Sequence, residues 1–75
     1  MGERVDAALA DFLRLSSLVP KSPAAAWGIA ECYRLKKNKT EALKHYRKFL
    51  DVAPPDNPDR PLAEQRIKVL KSGGF

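Results

Sequence analysis

The sequence predicts an all-α protein, an antiparallel helix-turn-helix array of four helices. Three observations predict it. Apolar residues recur three and four positions apart in successive stretches of the chain, the spacing of a helix that buries one face. Between these stretches stand helix breakers and caps: Pro20, Ser22-Pro23, Asn38 and the proline-rich run from Ala53 to Pro61. Finally, sliding the chain by 34 residues lays Ala8 on Ala42, Leu9 on Leu43, Phe12 on Tyr46, Arg14 on Lys48, Leu18 on Val52 and Pro20 on Pro54. Helical periodicity alone would not place both an alanine and a proline at the same lag.

The first helix is expected over about 4–19, where Val5, Ala8, Leu9, Phe12, Leu15 and Val19 form one stripe and Leu13 and Leu18 widen it. Pro20 to Ser22 then make a tight connection, which favours antiparallel neighbours. Ser22-Pro23 is an N-cap followed by the helical position where a missing N–H costs nothing, and it opens a second helix over about 23–37. Ala26, Ile29, Ala30 and Tyr33 line its inner face, and the two alanines let another helix approach closely. Asn38 ends that run and starts the next, because Asn38 and Glu41 have the spacing of a capping box. The third helix, about 39–53, turns Ala42, Leu43, Tyr46, Phe49, Leu50 and Ala53 inward and is stopped by Pro54 and Pro55. After the proline-rich turn, Leu62, Ala63, Arg66, Ile67, Val69 and Leu70 return to helical spacing over about 60–71, mixed with Glu64, Gln65 and Lys68. This fourth helix is expected to be polar-backed and to cap the array, before Ser72-Gly73-Gly74 ends it.

Residues Ser22 to Pro54 resemble the tetratricopeptide repeat, a helix-turn-helix unit of about 34 residues with the pattern Trp-x2-Leu-Gly-x2-Tyr, then Ala-x3-Phe, then Pro. Here the series is Ala26-x2-Ile29-Ala30-x2-Tyr33, then Ala42-x3-Tyr46, then Pro54. The chain departs from the pattern at Ala26, with Trp27 one residue late, and at Lys37, where a glycine is common. With Lys37 there, the turn either avoids positive φ or moves that strain to Asn38, which tolerates it better. The resemblance implies about one and a half repeats and a capping helix in one domain, 1–75, that is a piece of a longer protein; the first helix would be the second half of a preceding repeat. It also makes the second helix the inner one, facing a shallow groove, and it implies a non-catalytic scaffold or adaptor module that binds a peptide or another protein.

Composition narrows the function further. The chain has 75 residues, 44% hydrophobic and 31% charged, which describes one small globular domain. No apolar run approaches the roughly 18 to 20 residues of a membrane span. Asp6 stands where the myristoylation pattern needs Ser or Thr, so Met1-Gly2 reads as the edge of an expressed fragment. A single Cys and a single His provide no internal disulfide and no metal set of three or four such ligands. Cys32 and His45 read as boundary residues, since neither has an evident catalytic companion. There is no glycine-rich phosphate loop, Ser-His-Asp set or paired-carboxylate cleft; the expectation is no enzyme, no metal and no cofactor. The sequence assigns no compartment, the cytoplasm being slightly favoured.

Three surfaces are candidates for binding. On the groove side of the second helix, Trp27, Glu31, Arg34 and Leu35 follow at helical spacing, Trp and Arg being favoured anchors; Trp27 equally suits satellite core beneath the Pro20–Pro23 turn. Of the net charge of +5, the stretch 34–48 carries seven basic residues, Arg34, Lys36, Lys37, Lys39, Lys44, Arg47 and Lys48, against the single acid Glu41. This ridge, Lys36, Lys37, Lys39, Lys44, Arg47 and Lys48, reads either as a solvated face or as a surface that steers an acidic partner. The uncovered flank of the first helix, with Leu13 and Leu18, offers a homo-oligomer contact. The expectation is therefore a protein or peptide partner, with self-assembly or the binding of anionic lipid or nucleic acid through the ridge as the alternative. Nucleic acid is the weak member of that set, because Tyr33 and Tyr46 are wanted by the core.

Overall fold

A computed structural model describes residues 2–74 and leaves Met1 and Phe75, with the side chains of Gly2 and Glu3, outside the description; the readings made of Met1-Gly2 therefore lie outside it. The described chain is all-α, with helices α1 (Gly2–Leu18), α2 (Pro23–Leu35), α3 (Lys39–Val52) and α4 (Arg60–Lys71), and each packs on its neighbours in sequence. Side-chain pairs give the directions. Asp6, early in α1, meets Lys36 just past the end of α2, while Phe12 meets Gly28 in mid-helix. Trp27 likewise meets Phe49 late in α3, and Tyr33 meets His45 earlier in it. Both pairs of helices are thus antiparallel, and the array is a slab of 28 × 27 × 17 Å, about two helix layers thick.

The caps explain where the helices stop. Ser22 Oγ accepts from the Ala25 N–H at 3.2 Å, and Asn38 Oδ1 accepts from the Glu41 N–H at 3.3 Å. Only this arm of the capping box forms: the Asn38 N–H donates to the Tyr33 carbonyl, and the Glu41 carboxylate lies 3.5 Å from His45 Nε2. α2 ends at Leu35, two residues before the expected 37. Its last carbonyls are closed by Lys37 N–H to Arg34 and Asn38 N–H to Tyr33, with Lys37 at φ 61°. This is a Schellman turn with lysine in the left-handed position, so the strain falls on Lys37 itself. α4 closes in the same pattern on Gly73 (φ 96°), where no side chain is strained. Ala53 is extended, as a residue before proline prefers, which ends α3 at Val52. Arg60 Nη1 then donates to the carbonyls of Leu50 and Ala53 at 2.7 and 2.9 Å, satisfying the last turn of α3 from the first residue of α4.

The core has two parts joined at Tyr33. Ile29 and Cys32 of α2 pack with Leu9 of α1, flanked by Val5, Ala8 and Phe12. Ala26 and Ala30 of α2 pack with Ala42, Tyr46, Phe49 and Ala53 of α3 and with Ala63 and Leu70 of α4. Glu64, Gln65 and Lys68 stay exposed on the far side of α4. The third period is longer than the second: Val52 ends its helix 34 residues after Leu18, whereas Arg60 begins its helix 37 residues after Pro23. The proline-rich turn absorbs the difference, which is why α4 does not match α2 at the shorter lag.

Candidate functional site

Helix α2 is covered almost all round. Ala25, Ala26, Gly28, Ile29, Ala30 and Cys32 are buried, and what remains open is one strip bearing Ala24, Trp27, Glu31, Arg34 and Leu35. The four sequence-predicted residues Trp27, Glu31, Arg34 and Leu35 thus share one face, with Trp27, Glu31 and Leu35 one above another at intervals of four.

Trp27 is half-buried against α3. Its ring lies edge-on to Tyr46 at 5.5 Å and tilted against Phe49 at 5.3 Å, so its packing partners are these two rings. Leu35 is different: 58% exposed, it does no comparable packing work. Between them, Glu31 collects donors from three helices. Tyr46 of α3 donates its hydroxyl to Oε1, Arg34 of α2 donates Nη2 to Oε2 at 2.9 Å, and Arg66 of α4 donates Nε to Oε1 at 3.3 Å. Burial pushes the Glu31 carboxyl up, but the hydrogen bonds from Arg34 and Tyr46 and the charges of Arg34 and Arg66 outweigh it and hold the group below the usual glutamate value. Burial and the bond to Glu31 push the Tyr46 phenol well above its ordinary value, so it remains a donor.

The sequence places Glu31 on the groove side with Trp27, Arg34 and Leu35, and Arg66 was not among the site residues it suggests. The signal for Arg66 was faint but present. Arg66 lies between Ala63 and Leu70 on the inward side of α4, and an arginine there needs a buried-side partner.

The basic ridge is divided. Lys36 points to α1 and is paired with Asp6. Lys37 forms the turn and Lys39 is half-buried, whereas Lys44 and Arg47 stand exposed on the outer face of α3 with Lys48 half-buried beside them. On α1, Leu13 is 44% and Leu18 74% exposed. Five residues apart, they sit about 140° from each other round the helix and do not form one strip.

Cys32 is buried, and burial followed by the charge of Glu31 raises its thiol pKa, only partly offset by Lys36; the thiol stays protonated. His45 is stacked on Tyr33 at 5.7 Å with Nδ1 buried and without a hydrogen-bond partner. Burial lowers its pKa, Lys44 and Lys48 add to this, and Glu41 opposes it. Among the described residues no group of three or more His, Cys, Asp or Glu side chains is placed to hold a metal ion, and no helix is long and apolar enough to cross a membrane. Comparison with protein-family models, curated proteins and solved structures gives no match.

Proposed function

We propose that this chain is a non-catalytic, tetratricopeptide-like interaction module that binds another polypeptide along the open strip of α2. The observation that carries the reading is the contrast on that helix: most of its surface is packed, and the open strip holds an aromatic ring, an oriented charge cluster and an exposed leucine in line. Trp27 and Leu35 supply apolar anchorage and the Glu31 cluster supplies register, while Lys44 and Arg47 contribute long-range attraction for an acidic partner from the far face of α3.

The test uses a pool of random-sequence dodecapeptides, titrated while the fluorescence of the single tryptophan is followed. Leu35→Glu removes an anchor without disturbing the core and should abolish the response. Arg47→Glu, on the outer face, should leave it largely intact at moderate salt. A response lost in Arg47→Glu and kept in Leu35→Glu would move the binding surface to the basic ridge.

A further inference from the structure

The negative charge of Glu31 is already met. Two guanidinium groups and a phenol converge on its two oxygens. Arg66 spends Nε on Glu31, which fixes the plane of its guanidinium, and among the described residues no hydrogen bond or ion pair engages its Nη1 and Nη2. The side chain is 33% exposed, so this edge is reachable. A fixed guanidinium edge is a two-donor fork that matches a carboxylate.

We infer that Arg66, held in place by Glu31, is the point at which the strip takes a side-chain carboxylate of a bound acidic polypeptide, between two apolar side chains seated on Trp27 and Leu35. The inference rests on the reading of the strip as a polypeptide-binding surface. The spacing along α2 supports an internal carboxylate. Trp27, Glu31 and Leu35 lie about 6 Å apart in succession, at ~1.5 Å of rise per residue. In an extended segment, alternate side chains share a face and repeat every ~6.6 Å. The strip therefore fits the pattern apolar, any, acidic, any, apolar. A carboxylate at a chain terminus would leave one of the two apolar neighbours unused.

The test compares three peptides, each read by Trp27 fluorescence. The first is acetylated and amidated Leu-Ser-Glu-Ser-Leu, the second has Gln for the central Glu, and the third is the Gln peptide with a free C-terminal carboxylate. The Glu peptide should bind roughly threefold to fivefold tighter than its Gln counterpart, and the free C-terminus should recover little of that difference. Arg66→Gln should equalise the Glu and Gln peptides. Arg66→Lys, which keeps the charge and the stem but not the fork, should lose most of the preference. Lys68→Gln, removing an exposed charge of the same sign from the same helix, should keep it. Equal affinity of the Glu and Gln peptides for the unaltered protein overturns the carboxylate site while leaving the polypeptide-binding strip in place. Absence of any response to all three peptides overturns both. A preference that survives in Arg66→Gln, or that is erased by Lys68→Gln, assigns it to diffuse charge and overturns the fork. Tightest binding of the free-terminus peptide overturns the internal carboxylate.

Discussion

The two sides of α2 are built on different principles. Toward α1 the helix offers Gly28, Ile29 and Cys32, and the approach is so close that a methyl group on Gly28 would lie 2.5 Å from three ring atoms of Phe12. Toward α3 and α4 it buries Ala26 and Ala30 in a second apolar cluster, and at the edge of that contact the open strip adds rings and charges, Trp27 on Tyr46 and Phe49, and Glu31 with Tyr46, Arg34 and Arg66. The first side is smooth, dry and short-ranged, and its work is to fix where the helix stands. The second adds directional bonds to its packed rings, and among the described residues it leaves the Nη edge of Arg66 unengaged. In so small an array, one helix packs on both neighbours and still keeps one face open.

The largest expected break falls on the apolar side. Ile29 is 1% exposed, and Ile29→Ala should cost about 2–4 kcal/mol, read as a lowered urea midpoint. That is a large fraction of the stability of a domain this size. On the polar side, Glu31→Ala should cost about 1–3 kcal/mol, because it strands the Tyr46 hydroxyl and the partly buried charges of Arg34 and Arg66. Combined with Arg66→Ala, the loss should be less than the sum of the single losses, since the two residues share one interaction. An additive pair would show that Arg66 is not held by Glu31.

Relief of strain at the exit of α2 sharpens the contrast by acting on neither side. Lys37→Gly should stabilise the chain by about 1 kcal/mol, since Lys37 occupies the left-handed region that glycine occupies at Gly73. Thermal unfolding should show the gain, and it should be equal in the Ile29→Ala and Glu31→Ala backgrounds.

Acid separates the two sides by a smaller effect. The folded-state pKa of Glu31 is lowered, so its contribution is present above the ordinary glutamate range and is lost as pH falls through and below it. That of His45 is also lowered, so stability is fully present above the ordinary histidine range and declines as pH falls through it. Both slopes have the same sign. His45→Gln should flatten the upper window and Glu31→Gln the lower, in urea titrations run from pH 8 to pH 3, while Ile29→Ala should shift the whole curve without changing its shape.

Much of the array was legible because it rests on spacing. The stripe of Val5, Leu9 and Phe12, the alanines at 26 and 30, and the prolines that end helices are local signals that the four helices obey. That Trp27, Glu31, Arg34 and Leu35 share a face also followed from periodicity. What the sequence left unread depends on contacts between distant elements. The turn takes neither course that the sequence suggests, avoiding positive φ or moving it to Asn38, because the Schellman bonds to Arg34 and Tyr33 set Lys37 itself as the left-handed residue. The pairing of Glu31 with Arg66 needs a residue 35 positions away, carried by a helix whose register was shifted by the proline-rich turn. Trp27 could be placed on a boundary but not on its partners, because Tyr46 and Phe49 reach it only through the antiparallel pairing.

The most direct test of the central claim is a map of backbone amide shifts on the labelled chain as the dodecapeptide pool is added. The account predicts that the largest changes fall on Trp27, Glu31, Arg34, Leu35 and Arg66, with the Trp27 indole N–H moving among the first, while Ile29, Cys32 and Leu9 stay still. Changes concentrated on Lys44 and Arg47, or on Leu18 and Val19 at the end of α1, would contradict it.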